Sequence, residues 1–151
     1  MKMIVLFDSG PLGILTNPKG SPVTLECQNW VESLLLKGYR MILPEIADYE
    51  VRRELLRANK LAGIRRLDDC KSHLLEYLPI TTPVILKAAQ LWAESRQAGI
   101  PTADPKELDG DVILAAQGLL VGEGGEAVVI ATTNVKHLSR FVDAREWQNI
   151  E

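Results

Sequence analysis

Two apolar runs constrain this chain more than any other feature: Met3-Ile4-Val5-Leu6-Phe7 near one end and Ala127-Val128-Val129-Ile130-Ala131 near the other. Each is continuous rather than alternating, rich in branched residues, and shorter than an ordinary buried helix. Such runs read as strands buried on both faces, which only a sheet covered on both sides provides. Both end in polar residues, Asp8-Ser9-Gly10-Pro11 after the first and Thr132-Thr133-Asn134 after the last. The first of these reads as a sharp turn.

Between the runs the pattern is mostly helical. Asn17-Pro18-Lys19-Gly20-Ser21-Pro22 is a loop ending in a helix start, with Ser21 as N-cap and Pro22 at the first helical position. That helix is expected to run to about Lys37, with Leu25, Val31, Leu34 and Leu35 on its apolar face and Gly38 as its terminator. A second strand falls at 39–43. Pro44 then opens one long helical stretch carrying Val51, Leu55, Ala58 and Ala62, with Glu50 inside it. An amphipathic segment over 67–77 leads to a short third strand at 78–81, and Thr82-Pro83 opens a helix closed by Gly99 and Pro101. Residues 100–108 read as a loop, Asp109-Gly110-Asp111 precedes a buried helix over 112–120, and residues 122–125 break the chain before the last run.

Strands separated by helical segments need long crossovers, so the expectation is a parallel sheet of the α/β class with helices on both faces. Ligands of such sheets bind just outside the carboxyl ends of the strands, where Asp8 and residues 132–134 fall. The 151 residues, 46% of them hydrophobic, suit one domain over 1–151 with one sizeable core. A formal net charge of −3 is not that of a generally basic protein, so any contact with nucleic acid must be local. Cys27 and Cys70 have neither paired nor zinc-ligand spacing, and the opening apolar run is too short for a signal peptide or a bilayer span. A cytoplasmic chain with no membrane partner is the expectation.

Phosphodiester hydrolysis needs charge stabilised on the phosphate and hydroxide generated near neutral pH. Hard divalent cations held by carboxylate oxygens supply both. The acids that such a sheet can gather at one edge are Asp8 after the first strand, Glu50 in the helix after the second, and Asp111 before the apolar helix. Asn134 adds a neutral oxygen donor, Ser9 and Thr132 are hydroxyls placed to hydrogen-bond the carboxylates or a scissile phosphate, and Asp109 is an auxiliary acid close by. Crowded carboxylates hold their protons more tightly until a cation relieves the repulsion, so competence should rise with pH.

Four segments in order, Ile4-Val5-Leu6-Phe7-Asp8-Ser9-Gly10, Leu43-Pro44-Glu45-Ile46-Ala47-Asp48-Tyr49-Glu50, Asp111-Val112-Ile113-Leu114-Ala115-Ala116 and Ala131-Thr132-Thr133-Asn134-Val135-Lys136-His137-Leu138, resemble the motifs of PIN domains. Among these the chain is most similar to VapC-type toxins of bacterial toxin–antitoxin pairs, and the resemblance covers nearly all of it. It implies a PIN-like parallel-sheet sandwich and a Mg²⁺- or Mn²⁺-dependent endoribonuclease acting on RNA. The family's three core acids map onto Asp8, Glu50 and Asp111, with Asn134 at a fourth position that is often Asp. Asp8 and Asp111 would hold one metal, and Glu50 would complete that site or orient the attacking water. The resemblance also implies a homodimer formed through helices and a small antitoxin protein inserting a peptide near the groove.

Each residue also has a plainer reading. Asp8 and Ser9 are good helix caps, Asp111 suits a helix start, Asn134 can cap a helix over 135–139, and an isolated Glu50 would be a solvated helix residue. Arg53 and Arg57, with Lys60, share a helical face beyond Glu50, which is either a track for RNA phosphates or a solvated surface. Trp30, Trp92 and Trp147 read as core or interface residues. His73 and His137 have no ligand spacing, and His137 is merely near the site.

Rival chemistries lack their signatures. An aspartyl-phosphate phosphotransferase of the haloacid dehalogenase type carries a second Asp where Gly10 stands, and a phospho-accepting receiver needs an acidic pair that Asp8 alone does not supply. Gly122-Glu123-Gly124-Gly125 precedes a strand instead of following one, unlike a nucleotide loop. The alternative of another class is a non-catalytic PIN-like module binding RNA or a protein, and Asn134 is the residue that favours it.

Overall fold

A computed structural model describes residues 2–99 and 105–151, with side chains described in the second segment from residue 108 onward. Strand β1, Ile4–Phe7, is buried along its whole length. It pairs in parallel with β2, Arg40–Pro44, on one side and β4, Val128–Thr132, on the other, with Leu6 opposite both Ile42 and Ile130. Two short strands complete the parallel sheet, β3 (Glu76–Leu78) beside β2 and β5 (Ala144–Glu146) beside β4, in the order β3-β2-β1-β4-β5. The sheet therefore grows in one direction from β1 to β3 and in the other from β4 to β5. Such a reversal opens a crevice beyond the carboxyl ends of β1 and β4. The fold is α/β, as the strand and helix alternation predicts, and has the PIN-like arrangement of a parallel sheet between helices.

Side chains alternate across β1, which divides the apolar interior into two layers. Val5 and Phe7 join Met41, Leu43, Val129 and Ala131 on one face, under helices α1 (Ser9–Leu15), α2 (Pro22–Leu36) and α3 (Glu45–Arg57). Ile4 and Leu6 join Ile42 and Ile130 on the other, against Leu114 of α6 (Pro105–Gly122) and Leu138 of the short α7 (Val135–Leu138). Helix α5, Thr82–Gln97, packs on α6 through Val84, Ala88 and Leu91.

Several local expectations are corrected. Residues 9–11 are not a turn: α1 begins at Ser9, directly after β1, because Asp8 caps it. The buried face of α2 is Thr24, Cys27, Trp30, Val31 and Leu34, whereas Leu25 and Leu35 face outward. Trp30 decides the rotation, because its ring lies edge-on between Phe7 and Trp147, at 5.6 and 5.5 Å, and its Nε1 donates to the Ile150 carbonyl at 2.8 Å. The single long helix after Pro44 is two, α3 and α4 (Leu61–Asp69), broken where Asn59 takes a left-handed φ of 56°. Asn tolerates that conformation, and the Lys60 amide closes the end on the Leu55 carbonyl at 2.9 Å.

A π-helical turn, Cys70–Leu74, follows α4, and the third strand lies at 76–78 rather than 78–81. The fifth strand has no counterpart in the sequence reading. Of the expected loop at 100–108, residues 100–104 lie outside the described residues, as does Pro101 as a terminator, and residues 105–108 are the first turn of α6. Among the described residues no helix is long and apolar enough to cross a membrane.

Candidate active site

Parallel pairing puts the end of β1 beside the end of β4, and the Asp8 amide donates to the Ala131 carbonyl at 2.9 Å. The Asp8 side chain is then held from both sides. Its Oδ1 accepts from the Ser9 amide at 2.7 Å, capping α1, and its Oδ2 accepts from the Thr132 hydroxyl at 2.8 Å. Thr132 is fully buried, so its hydroxyl has a fixed geometry to offer. Ser9 contributes its backbone N–H here, and the hydroxyl role expected of it is filled by Thr132. Gly10 is required by the same closeness, since a Cβ there would run into the Thr133 hydroxyl.

Glu50 stands in the second turn of α3 and borders a shallow groove with Ser9, Gly10, Gly13, Val51 and Arg53. Burial, followed by the negative charge of Asp8, raises its carboxyl from 4.5 to about 7; the cation of Arg53 opposes this, and Asp111 adds to it. Asp8, at the end of β1, and Asp111 of α6 therefore both act on Glu50 of α3, although they lie 42 and 61 residues from it in sequence. Gly110 keeps room for Glu50, because a Cβ at that position would come within 2.9 Å of Oε2.

Asp111 lies inside α6 and not at its start, since the helix begins six residues earlier at Pro105. Its Oδ2 is 3.7 Å from Nδ1 of His137 on α7. The same Nδ1 is 3.0 Å from the amide nitrogen of Asn134, whose backbone N–H donates to the Thr132 hydroxyl at 2.9 Å. Asn134 occupies the N-cap position of α7 but makes no side-chain cap; its amide reaches for the imidazole instead. His137 thus belongs to the site. The contact with Asn134 is local, three residues back at the N-cap of the same helix, whereas the approach to Asp111 depends on the fold because α6 carries it.

Of the remaining candidates, Arg53 is at the site, stacked over the Tyr49 ring at 5.1 Å and acting on Glu50. Arg57 is a turn further out, in an exposed pair with Glu54 at 2.9 Å. Asp109 is exposed and faces a different groove, with Trp92, Ile85 and Val112 between α5 and α6. Both thiols are pushed up by burial, Cys27 to about 12 and Cys70 to about 11, so neither is an activated nucleophile.

The donors fit a hard divalent cation. Asp8, Glu50 and Asp111 offer carboxylate oxygens only, the burial and the neighbouring negative charge that together raise Glu50's carboxyl are what a bound cation offsets, and the missing Cβ of Gly110 leaves Glu50 space to turn. Among the described residues no three carboxylate, imidazole or thiol groups are drawn tightly enough to grip an ion as they stand. Closing on a cation therefore takes side-chain rotation, which the half-buried Glu50 can make.

No family model matches the sequence, and no curated protein matches it. Solved structures match nearly end to end at low identity. VapBC2 from Rickettsia felis, bound to a DNA fragment from their promoter, superposes with a TM-score of 0.70 at 16% identity, over 96% of this chain and 99% of that one. VapBC-1 from nontypeable Haemophilus influenzae gives 0.69 at 16%, over 97% and 100%. FitAcB from Neisseria gonorrhoeae gives 0.69 at 18%, over 97% and 99%. At these identities the likeness is one of fold.

Proposed function

We propose that this chain is a PIN-domain endoribonuclease of the VapC type, the toxin of a toxin–antitoxin pair, in which Asp8, Glu50 and Asp111 hold Mg²⁺ or Mn²⁺. The observation that carries this reading is the charge of Asp8 and of Asp111 acting on the half-buried Glu50 at the crevice beyond β1 and β4. The end-to-end likeness in fold to VapBC and FitAcB chains supports it. When bound, the cation supplies charge stabilisation at a phosphate and lowers the pKa of a water molecule.

The chain's own residues do the rest. Ser9 N–H and Thr132 Oγ1 fix both oxygens of Asp8 before any ligand arrives. Glu50, in the groove beside Asp8 and Asp111, would complete the cation site or orient an attacking water through its carboxylate. Arg53, beside Glu50 and exposed, is placed for an RNA phosphate; Arg57, further along the helix and shared with Glu54, is a more distant one. Asn134 offers an amide oxygen as a fourth donor, and Asp109 acts only from a distance.

An antitoxin partner suits a second feature. The groove at Glu50 continues through Gly13, Val51 and Leu55 into an apolar hollow lined by Leu61 and Ala62 and rimmed by Lys19 and Lys60. An antitoxin peptide with apolar and acidic side chains would fill it and cover the acids. A homodimer would bury the exposed Ile85, Leu86 and Trp92 of α5.

The experiment is cleavage of end-labelled total RNA by the purified chain with EDTA, Mg²⁺ or Mn²⁺, alongside Asp8→Asn and Asp111→Asn variants checked for folding. Metal-dependent cleavage lost in both variants is expected. Folded wild type that cleaves no RNA with either metal would give first place to the non-catalytic module, the reading that the neutral Asn134 favours.

A further inference from the structure

Tyr49 stands directly before Glu50 in α3 and is the most exposed aromatic residue of the chain, at 54%. Most of the other rings have evident uses in the fold. Phe7, Trp30 and Trp147 meet edge-on in the core, Tyr39 donates to the Glu151 carbonyl at 2.9 Å, Tyr77 bonds Glu45, and Phe141 packs against the core beside α5 and α6. The contact that Tyr49 makes is with Arg53, whose guanidinium carbon is 5.1 Å from the ring centroid.

The helix sets the order of these groups. With about 3.6 residues per turn, Arg53 falls between Tyr49 and Glu50 around the surface of α3. Arg53 also lines the groove that holds Glu50, Ser9 and Gly10. An open ring, a cation and the acid therefore follow one another from the outer surface into the groove. The cation is not already spent on a neighbour. Arg52 is bound to Asp48 at 2.8 Å and Arg57 to Glu54 at 2.9 Å, whereas among the described residues Arg53 has no carboxylate at ion-pair distance.

An exposed ring backed by a guanidinium is a surface on which any nucleobase can stack, because every base has a π-face and both groups attract it. Within a duplex the neighbouring bases already cover both faces. Only an unpaired, splayed base can therefore reach a side chain.

We propose that Tyr49 and Arg53 form a stacking platform for an unpaired base next to the phosphate bound at the acids, so that the chain selects single-stranded over paired RNA. This rests on the reading of those acids as a ribonuclease site. The Tyr49 ring lies against the base, and the Arg53 guanidinium holds the ring from beside and faces the phosphate. One nucleotide spans both groups.

The first readout is binding by the full, metal-free chain, which leaves the RNA intact. The probe is a single-stranded oligouridylate carrying one 2-aminopurine, a fluorescent base that dims when it stacks; a blunt RNA duplex of equal length is the control. Wild type and Tyr49→Phe should quench the probe. Tyr49→Ala and Tyr49→Leu should lose the quenching and bind the single strand on the order of tenfold more weakly, the scale of one lost base stack, with little change for the duplex. The exposed position lets these variants fold, which their urea midpoints check. Unchanged affinity of Tyr49→Ala for the single strand, an equal loss for the duplex, or no binding of the single strand by wild type would overturn the proposal.

The second readout is cleavage with Mg²⁺ or Mn²⁺. Tyr49→Ala should raise KM for single-stranded RNA and leave kcat near wild type, since a stacked base is held alike in the ground and transition states. Tyr49-dependent quenching by a chain that cleaves no RNA would uphold the platform and remove the nuclease. Metal-dependent cleavage of single strands as fast in Tyr49→Ala as in wild type would uphold the nuclease and remove the platform.

Discussion

Thr132 holds Asp8 from the neighbouring strand: the buried hydroxyl donates to Oδ2 across 2.8 Å and accepts the Asn134 N–H with its lone pair. Thr132→Val keeps the shape and removes both bonds. It is expected to cost about 1–3 kcal/mol in urea denaturation, because one carboxylate oxygen and one amide lose their partner. RNA cleavage should fall with it, and Thr132→Ser should recover most of both.

Gly110→Ala separates helix stability from the site. Alanine favours a helix by about 1 kcal/mol over glycine. Its methyl would come within 2.9 Å of Glu50 Oε2, and the flexible carboxylate, not the backbone, must give way. The variant should therefore melt no lower than wild type yet bind Mn²⁺ and cleave RNA at least several-fold less well. A normal rate would mean that Glu50 does not need that position.

The raised carboxyl of Glu50 sets a pH dependence of stability. A group whose pKa goes from 4.5 to about 7 on folding binds its proton more tightly in the native state. Its contribution is therefore full below about 4.5 and is lost as pH rises to about 7. In metal-free protein this component is on the order of 2 kcal/mol after allowing for partial screening. It should appear as the difference in urea midpoints between wild type and Glu50→Gln across that range, and saturating Mg²⁺ should stabilise wild type most at the alkaline end.

Trp30 tests the core independently of the chemistry. It joins α2 to Phe7 and to the C-terminal Trp147 and Ile150. Trp30→Ala should cost about 3–5 kcal/mol by denaturation. Trp30→Phe, which keeps the ring contacts but leaves the Ile150 carbonyl without its donor, should cost less, and neither should alter the metal dependence of cleavage by the folded fraction.

What the sequence conveyed follows from where the information lies. The runs ending in Phe7 and Ala131 announce strands by themselves, and with them the place of Asp8 and Thr132. Glu50 and Asp111 are unremarkable helical acids one at a time, so it took their places after the second strand and before the apolar helix, together with the resemblance, to single them out. The break between α3 and α4 was hidden because Ala58 and Ala62 continue the apolar spacing, while Asn59 ends the helix through a backbone conformation. Strand β5 was hidden because of its three residues only Ala144 is buried. The place of His137 is not legible in the sequence because the acid it approaches, Asp111, belongs to a separate helix.

Whether Asp8, Glu50 and Asp111 form one cation site is tested most directly by a ¹³C carboxyl titration of Glu50 by NMR. The carboxyl should titrate near 7 in metal-free wild type, fall toward the ordinary glutamate range in Asp8→Asn and Asp111→Asn, and fall further when Mg²⁺ is added to wild type. Titration near 4.5, indifferent to both substitutions and to Mg²⁺, would contradict the existence of a shared site.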